Sequence, residues 1–172
     1  MANNDWQEFQ CTQSAVFNKE TIVSFGNIQN ELLCAAQAGI FCDLSHLATL
    51  SLSGDDALTF LQGQVTNDVN LLGVDKAHYS GYCSPKGRLL ALFLAYRQAE
   101  AIHLQFNGEL AEPIAKRLKM YVMRSKVKLD NIGDDIVKLG ISGANAKQAL
   151  SAFFSTIPAL ACLLYTSDAA DE

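Results

Sequence analysis

The chain has 172 residues, of which 49% are hydrophobic and 18% charged, and its formal net charge is −5. This length and composition are typical of one globular domain, and no apolar run is long enough to cross a bilayer. The acidity gives no support to a nucleic-acid-binding surface, which needs clustered basic charge. The polar first residues lack an apolar signal core, so we expect a cytoplasmic protein.

The two ends of the sequence differ from its middle. Residues 1–20 are polar and predict a flexible arm, and residues 21–161 predict a single domain. Residues 162–172 resemble the translation of a sequencing adaptor, which indicates read-through at the end of a truncated gene fragment. That tail holds three acids and no base, so residues 1–161 carry a net charge of −2.

The first half of the domain predicts short alternating elements. A strand is expected over 21–26, a helix over 30–38 and a strand over 47–52. The first helix is expected to end at Gly39 in a left-handed conformation. The next helix is expected to begin at Ser53 as its N-cap and to end at Gly63.

The second half predicts a hairpin followed by alternating helices and strands. Pro85 and Gly87 fit the second and fourth positions of a type I turn between strands over 78–83 and 88–96. The strand over 89–96 is apolar at every position, which predicts a central strand covered on both faces. The remaining elements are strands over 101–106, 127–129 and 136–141, and helices over 108–121 and 144–154. This order favours an α+β fold with a mixed or antiparallel sheet and packed helices.

A polar segment follows the helix that ends at Gly63. It includes Gln64, Thr66 and Asn67, which either cap and turn the backbone or line a ligand pocket. An amide can pair with the donor–acceptor edge of a pterin, which is the physical reason for the second alternative.

The hairpin supplies three further candidates. Lys86 and Arg88 are either a solvated tip or a cationic contact for an anionic ligand tail. Tyr82, like Tyr79, is either an ordinary sheet residue or a ring that stacks on a flat ligand. The five cysteines contain no C-x-x-C pair and no histidine at ligand spacing, so no metal site is expected.

Three segments together resemble the YgfZ-type folate-binding proteins, which are relatives of the glycine-cleavage T-protein, an aminomethyltransferase. The first runs from Leu52-Ser53-Gly54-Asp55-Asp56 through Gln62-Gly63-Gln64-Val65-Thr66-Asn67-Asp68-Val69. The second is the Lys86-Gly87-Arg88 turn, and the third runs from Leu118-Lys119-Met120-Tyr121 through Ser125-Lys126-Val127. The resemblance covers roughly residues 40–155.

The resemblance implies a tetrahydrofolate-binding protein that assists the assembly or repair of iron–sulfur clusters and is linked to tRNA methylthiolation. It implies iron–sulfur enzymes as clients, no direct nucleic-acid or membrane contact, and a ring of three domains around folate. This chain would supply the first segment of that ring. Gln64, Thr66, Asn67, Tyr82, Lys86 and Arg88 would then be the folate-binding candidates.

Two departures from the family pattern limit what the resemblance implies. The family string K-G-C-x-x-G-Q-E is absent, and Cys83 does not take the place of its cysteine. Aminomethyltransferases carry paired acids where this chain has Ala91 and Leu92. Without a carboxylate there, methylene transfer lacks its main group, so no catalytic residue is assigned. The alternatives that remain open are an aminomethyltransferase-like enzyme and a non-catalytic interaction module that no longer binds folate.

Overall fold

The computed structural model describes residues 2–19, 21–73 and 76–154. The contacts divide these residues into two compact units, one from 2–46 and 134–154 and the other from 47–133. The sequence predicted one domain over 21–161 instead. Residues 162–172, which were interpreted as adaptor read-through, lie outside the described residues.

The first unit contains two small antiparallel ribbons and three helices. β1 pairs with β2, and β3 pairs with β9. Its elements are α1 (Ala2–Thr12), β1 (Val16–Asn18), β2 (Thr21–Ser24), α2 (Ile28–Gln37), β3 (Gly39–Asp43), β9 (Leu139–Gly143) and α5 (Ala146–Ser151).

The prediction of a flexible arm over residues 1–20 is wrong for the described part of that range. Trp6 and Phe9 lie one helical turn apart on α1, and their rings stack at 5.4 Å. The indole nitrogen of Trp6 donates to Asp43 at 3.1 Å, and Gln10 is buried. These aromatic and polar contacts therefore stabilise α1, although its mostly polar sequence suggests a loop.

The second unit is a five-stranded antiparallel sheet with helices packed on one face. The strand order is β5-β6-β7-β4-β8, and the hairpin strands β5 and β6 form one side of the sheet. Its elements are β4 (Leu47–Ser53), α3 (Ala57–Gln62), β5 (Ala77–Cys83), β6 (Leu89–Gln98), β7 (Ala101–Asn107), α4 (Ala111–Val122) and β8 (Lys128–Asn131), with short 3-10 turns at Val69–Leu71 and Gly108–Leu110. This combination of helices with an antiparallel sheet confirms the predicted α+β class.

The core lies between this sheet and the apolar sides of α3 and α4. All the buried apolar side chains among the described residues come from 48–129. The largest is Phe93 on β6, which stacks on Tyr82 at 6.1 Å and meets Phe106 edge-on at 5.0 Å. Ile114 and Leu118 of α4 are one helical turn apart and close the core from the helix side.

Two details of helix termination differ from the sequence predictions. Ser53 is the last residue of β4, and Asp56 precedes α3 instead. Asp56 does not cap that helix, because its carboxylate accepts from the backbone of Lys126 at 2.7 Å. Helix α2 ends at Gln37, and Gly39 starts β3 and pairs with Gly143 rather than adopting a left-handed conformation.

Candidate functional site

The polar segment after α3 is held by its own side chains at its far end. The carbonyl oxygen of the Gln62 side chain accepts from the backbone of Val69 at 2.8 Å and from the amide of Asn70 at 3.2 Å. Asp68 accepts from the backbone of Asn70 at 2.9 Å. Gln62 and Asp68 therefore act as turn and capping groups.

The middle of this segment is fastened to the free edge of β5. The Thr66 backbone donates to the Gly81 carbonyl at 2.9 Å, and the Thr66 hydroxyl accepts from the Gly81 amide at 2.8 Å. The Asn67 side chain donates to the Tyr79 carbonyl at 2.8 Å. Thr66 and Asn67 thus form hydrogen bonds with backbone groups that the edge strand would otherwise leave unpaired. This use engages the Thr66 hydroxyl as an acceptor and the Asn67 amide nitrogen as a donor.

We expect Thr66→Val to destabilise the second unit, because it leaves the buried Gly81 amide without its acceptor. The cost of such an unsatisfied group is about 1–3 kcal/mol. Chemical denaturation measures it. Thr66→Ser keeps the hydroxyl and is the matched control, and equal stability of Thr66→Val and Thr66→Ser would contradict this role.

Gln64 is the predicted amide whose side chain is not engaged by the strand edge. Its side chain is half-buried and makes no hydrogen bond within the described residues. The next residue, Val65, bridges to Tyr82 and packs against the core. Gln64 is therefore fixed in position by its neighbours while its amide can still bind a ligand.

The hairpin tip has the predicted turn. The Gly87 amide donates to the Ser84 carbonyl at 2.8 Å, as the fourth residue of a turn does, and the Ser84 hydroxyl accepts from the Arg88 amide at 3.1 Å. Lys86 and Arg88 are exposed, and neither forms an ion pair with a described residue. Two cations are thus displayed on an ordered turn.

The stacking role predicted for Tyr82 is wrong. Only 2% of this residue is exposed, and its ring packs on Phe93 inside the core. The pKa of its hydroxyl is raised, because burial outweighs the lowering effect of a hydrogen bond from the Arg117 side chain. The ring has no open face to offer a ligand, because alternation along β5 turns position 82 inward.

The opposite face of the β5–β6 hairpin is open, which the sequence did not predict. The strand over 89–96 was expected to be covered on both sides, yet Leu89 and Leu92 are 56% and 54% exposed. Tyr79 on β5 is 44% exposed, and register places it on the same face as Leu92. We call the surface formed by Thr66, Tyr79, Leu89 and Leu92 the open sheet face.

Gly81 lies at the centre of the open sheet face. A Cβ there would stand 3.1 Å from Leu89 and 3.2 Å from the Thr66 hydroxyl. The absence of a side chain lets Leu89 and Thr66 approach each other over the strand. The sequence carried no clear signal for this face, because every residue from 89 to 96 is apolar and the inward Ala91, Phe93 and Ala95 are not distinguished from the outward Leu92.

This geometry separates Ala91 from Leu92, the two positions that the family resemblance compares with paired acids. Ala91 is 4% exposed and faces the core, whereas Leu92 faces outward. Position 92 alone could present a side chain to a ligand on the open sheet face. An apolar leucine there offers contact surface and no proton-accepting group.

Farther along the same sheet face the side chains are polar and partly or fully buried. Thr49, Tyr96 and His103 lie on the side of the sheet that carries Leu92, and the His103 ring lies 5.1 Å from that of Tyr96. Burial lowers the pKa of His103 below its usual 6.5. His103 is therefore held as the neutral imidazole in the folded protein at neutral pH.

This pKa predicts an acid-side loss of stability. Below pH 6.5 the unfolded state binds a proton that the folded state does not, so the free energy of unfolding falls as the pH falls, by at most about 1.4 kcal/mol per pH unit. The loss is complete once the pH is below the folded-state pKa. His103→Gln should flatten the profile of denaturation midpoint against pH relative to the wild type. Identical profiles for the variant and the wild type would contradict the prediction.

No group of three or more His, Cys, Asp and Glu side chains within the described ranges could hold a metal ion. Among the helices that the structure describes, none is long and apolar enough to cross a membrane. Cys11, Cys34, Cys42 and Cys83 are free thiols.

Comparison with solved structures identifies the fold. The glycine cleavage system aminomethyltransferase T from Bartonella henselae superposes with a TM-score of 0.74, over 86% of this chain and 42% of that chain. The two sequences are 20% identical, so this similarity concerns the fold alone.

Comparison with curated sequences gives relatives of two kinds. The tRNA-modifying protein YgfZ of Vibrio vulnificus (strain CMCP6) is 32% identical over 108 residues, which cover 63% of this chain and 33% of the relative. The aminomethyltransferase of Bacillus subtilis (strain 168) is 31% identical over 132 residues, which cover 76% of this chain and 36% of the relative. The matched regions thus span about a third of each relative's length.

The family model described as the GCVT N-terminal domain matches residues 5–166. The matched range includes both units and every predicted site residue. The sequence resemblance to YgfZ-type proteins is confirmed by these comparisons. The chain therefore belongs to the GCVT N-terminal domain family.

Proposed function

We propose that this chain is the folate-binding N-terminal part of a cytoplasmic protein that assists iron–sulfur cluster assembly or repair and thereby tRNA methylthiolation. The observation that carries the ligand proposal is the open sheet face beside the cationic hairpin tip. Its exposed ring and aliphatic side chains suit a flat heteroaromatic ligand, and Lys86 and Arg88 suit an anionic tail.

The order of these groups along β6 gives the ligand a direction. Arg88 at the tip is followed by Leu89 and then by Leu92. Arg88 and Leu92 are four residue steps apart, which is about 13 Å at the rise of a strand. In this proposal the pterin and benzoyl rings lie on Leu92, Leu89 and Tyr79, and the glutamate carboxylates reach Lys86 and Arg88.

The roles of the predicted polar residues are revised accordingly. Gln64 is the amide that we propose for pairing with the pterin edge. Thr66 and Asn67 support the site by fixing the strand edge on which it is built. Tyr79 takes the stacking role that the sequence assigned to Tyr82.

The same surface disfavours aminomethyl transfer. Leu92 occupies the outward position of the two that are acidic in aminomethyltransferases, and Ala91 is buried. We therefore propose binding without methylene transfer by the residues of this chain. Loss of methylthiolated nucleosides from tRNA after gene deletion, measured by mass spectrometry, tests the wider role; unchanged nucleosides would argue against it.

Calorimetric titration of tetrahydrofolate into the full-length protein tests the site. We expect Lys86→Ala/Arg88→Ala to weaken tetrahydrofolate binding by about tenfold, since exposed ion pairs contribute up to about 1 kcal/mol each. The same variant should bind 6-methyltetrahydropterin, which lacks the glutamate tail, as the wild type does. Lys147→Ala, at another exposed lysine, is the matched control. Equal tetrahydrofolate affinity in all three proteins would contradict the proposed tail contact.

A further inference from the structure

The second half of α4 and the residues after it form a basic surface on an acidic protein. Of the 13 basic residues in the chain, six lie between positions 116 and 128, and no acid lies among them. Two of the six are neutralised locally, because Lys126 pairs with Asp55 at 3.1 Å and Lys128 with Asp130 at 2.7 Å. Outside this surface the chain is strongly acidic, so its positive potential is local.

Large apolar side chains stand among the remaining exposed cations. Met120 is 61% exposed and Met123 is 85% exposed. Lys116, Lys119 and Arg124 are exposed and form no ion pair with a described residue. We call these five residues, Lys116, Lys119, Met120, Met123 and Arg124, the α4 ridge.

A groove of about 800 Å³ runs beside the α4 ridge. Lys116, Lys119 and Met120 line one side of it, and Asn131 at the end of β8 lines the other. Glu109 and Glu112 line the groove near the start of α4. The groove is therefore negative at one end and positive at the other, and Met120 lines it beside Lys116 and Lys119.

Met123, just after the end of α4, has a strained backbone conformation and an exposed side chain. Its φ of +41° lies in the region that residues with a side chain rarely adopt. A methionine held in such a conformation and almost fully exposed gains nothing from packing within the described residues. Flexible, polarisable methionines are characteristic of protein-binding surfaces.

We propose that the α4 ridge docks a segment of another protein that combines acidic and apolar side chains. The partner's apolar side chains would pack on Met120 and Met123, and its carboxylates would pair with Lys116, Lys119 and Arg124. Glu109 and Glu112 in the same groove would repel a phosphate backbone, whose charge is continuous, whereas a protein segment can place its carboxylates at the positive end alone. This difference favours a protein over a nucleic acid. Neither the ridge nor the groove includes a residue of the open sheet face, so this proposal is independent of folate binding.

Fluorescence anisotropy with the full-length protein tests the proposal. The probe is a fluorescein-labelled helical peptide of Glu, Leu and Ala residues, and its counterpart has Gln in place of every Glu. The Glu peptide should bind more tightly than the Gln peptide. Lys116→Glu/Lys119→Glu and Met120→Ser/Met123→Ser should each weaken binding by about tenfold, from lost charge pairing and lost apolar contact respectively.

Matched variants separate docking from folding. Lys147→Glu makes the same kind of substitution at one exposed lysine that does not belong to the ridge, and it should bind as the wild type does. Met123→Gly should weaken binding while leaving the melting midpoint unchanged or raised, since glycine relieves the strained φ. Equal binding of the two peptides, or ridge variants that bind like the wild type, would overturn the proposal. Binding of tRNA that is lost in the same lysine variants, without peptide binding, would assign the ridge to nucleic acid instead.

Discussion

Replacing Phe93 with alanine is expected to lower the free energy of unfolding of the second unit by about 3–5 kcal/mol. Phe93 is fully buried in the middle of β6 and contacts the rings of Tyr82 and Phe106. Its removal leaves a cavity between sheet and helices and withdraws two aromatic contacts at once. Against a typical total stability of about 5–15 kcal/mol, this is one of the largest single effects available.

The neighbouring residue supplies the control for this prediction. Leu92 is one position away on the same strand, but it belongs to the open sheet face and is 54% exposed. Leu92→Ala should cost less than about 1 kcal/mol by urea denaturation, because it removes little buried surface. If Leu92→Ala and Phe93→Ala were equally destabilising, the assignment of one buried and one open face to β6 would be wrong.

Replacing Gly54 with alanine is expected to cost about 3 kcal/mol or more. Gly54 links β4 to α3 with a φ of +111°, and a Cβ there would overlap the Lys126 carbonyl oxygen and stand 3.1 Å from its carbon. Relief of this overlap would push Lys126 away from Asp56, which accepts from its backbone at 2.7 Å. The strain and the lost contacts thus add.

A glycine-to-alanine change at Gly87 isolates the cost of backbone strain from the cost of the overlap with Lys126. It also has a positive φ, of +75°, but a Cβ there would meet no atom within 4 Å. Gly87→Ala should therefore cost only the conformational component, about 1–2 kcal/mol. Thermal or urea denaturation of both variants measures the difference, and equal costs would show that the approach of Lys126 to Gly54 is not tight.

Local patterns predicted most of the second unit. The turn residues Pro85 and Gly87 and the apolar runs beside them are sufficient to specify a hairpin, because register and turn chemistry are local. The strand over 47–52 and the helix that ends before Gly63 were predicted for the same reason. These elements contain the core, so their apolar periodicity is strong.

Elements held by distant contacts escaped prediction. Helix α1 depends on Trp6 meeting Asp43, and β3 on its pairing with β9 nearly a hundred residues later. Asp43 and β9 are too far along the chain from Trp6 and β3 for a local sequence pattern to reveal these contacts. The predicted helix stop at Gly39 failed because long-range strand pairing decided the conformation of that residue.

The candidate site was only partly predictable. The sequence identified the polar segment and the basic turn, but it could not distinguish Gln64 from Thr66 and Asn67, which the edge of β5 occupies. It also chose Tyr82 over Tyr79, because alternation along β5 leaves the inward side ambiguous until the core is known.

A structure of the full-length protein with bound tetrahydrofolate tests the central proposal most directly. We predict ligand rings in contact with Tyr79, Leu89 and Leu92, and glutamate carboxylates within ion-pair distance of Lys86 or Arg88. Tetrahydrofolate bound with no contact to the open sheet face, or no binding at saturating ligand, would contradict it.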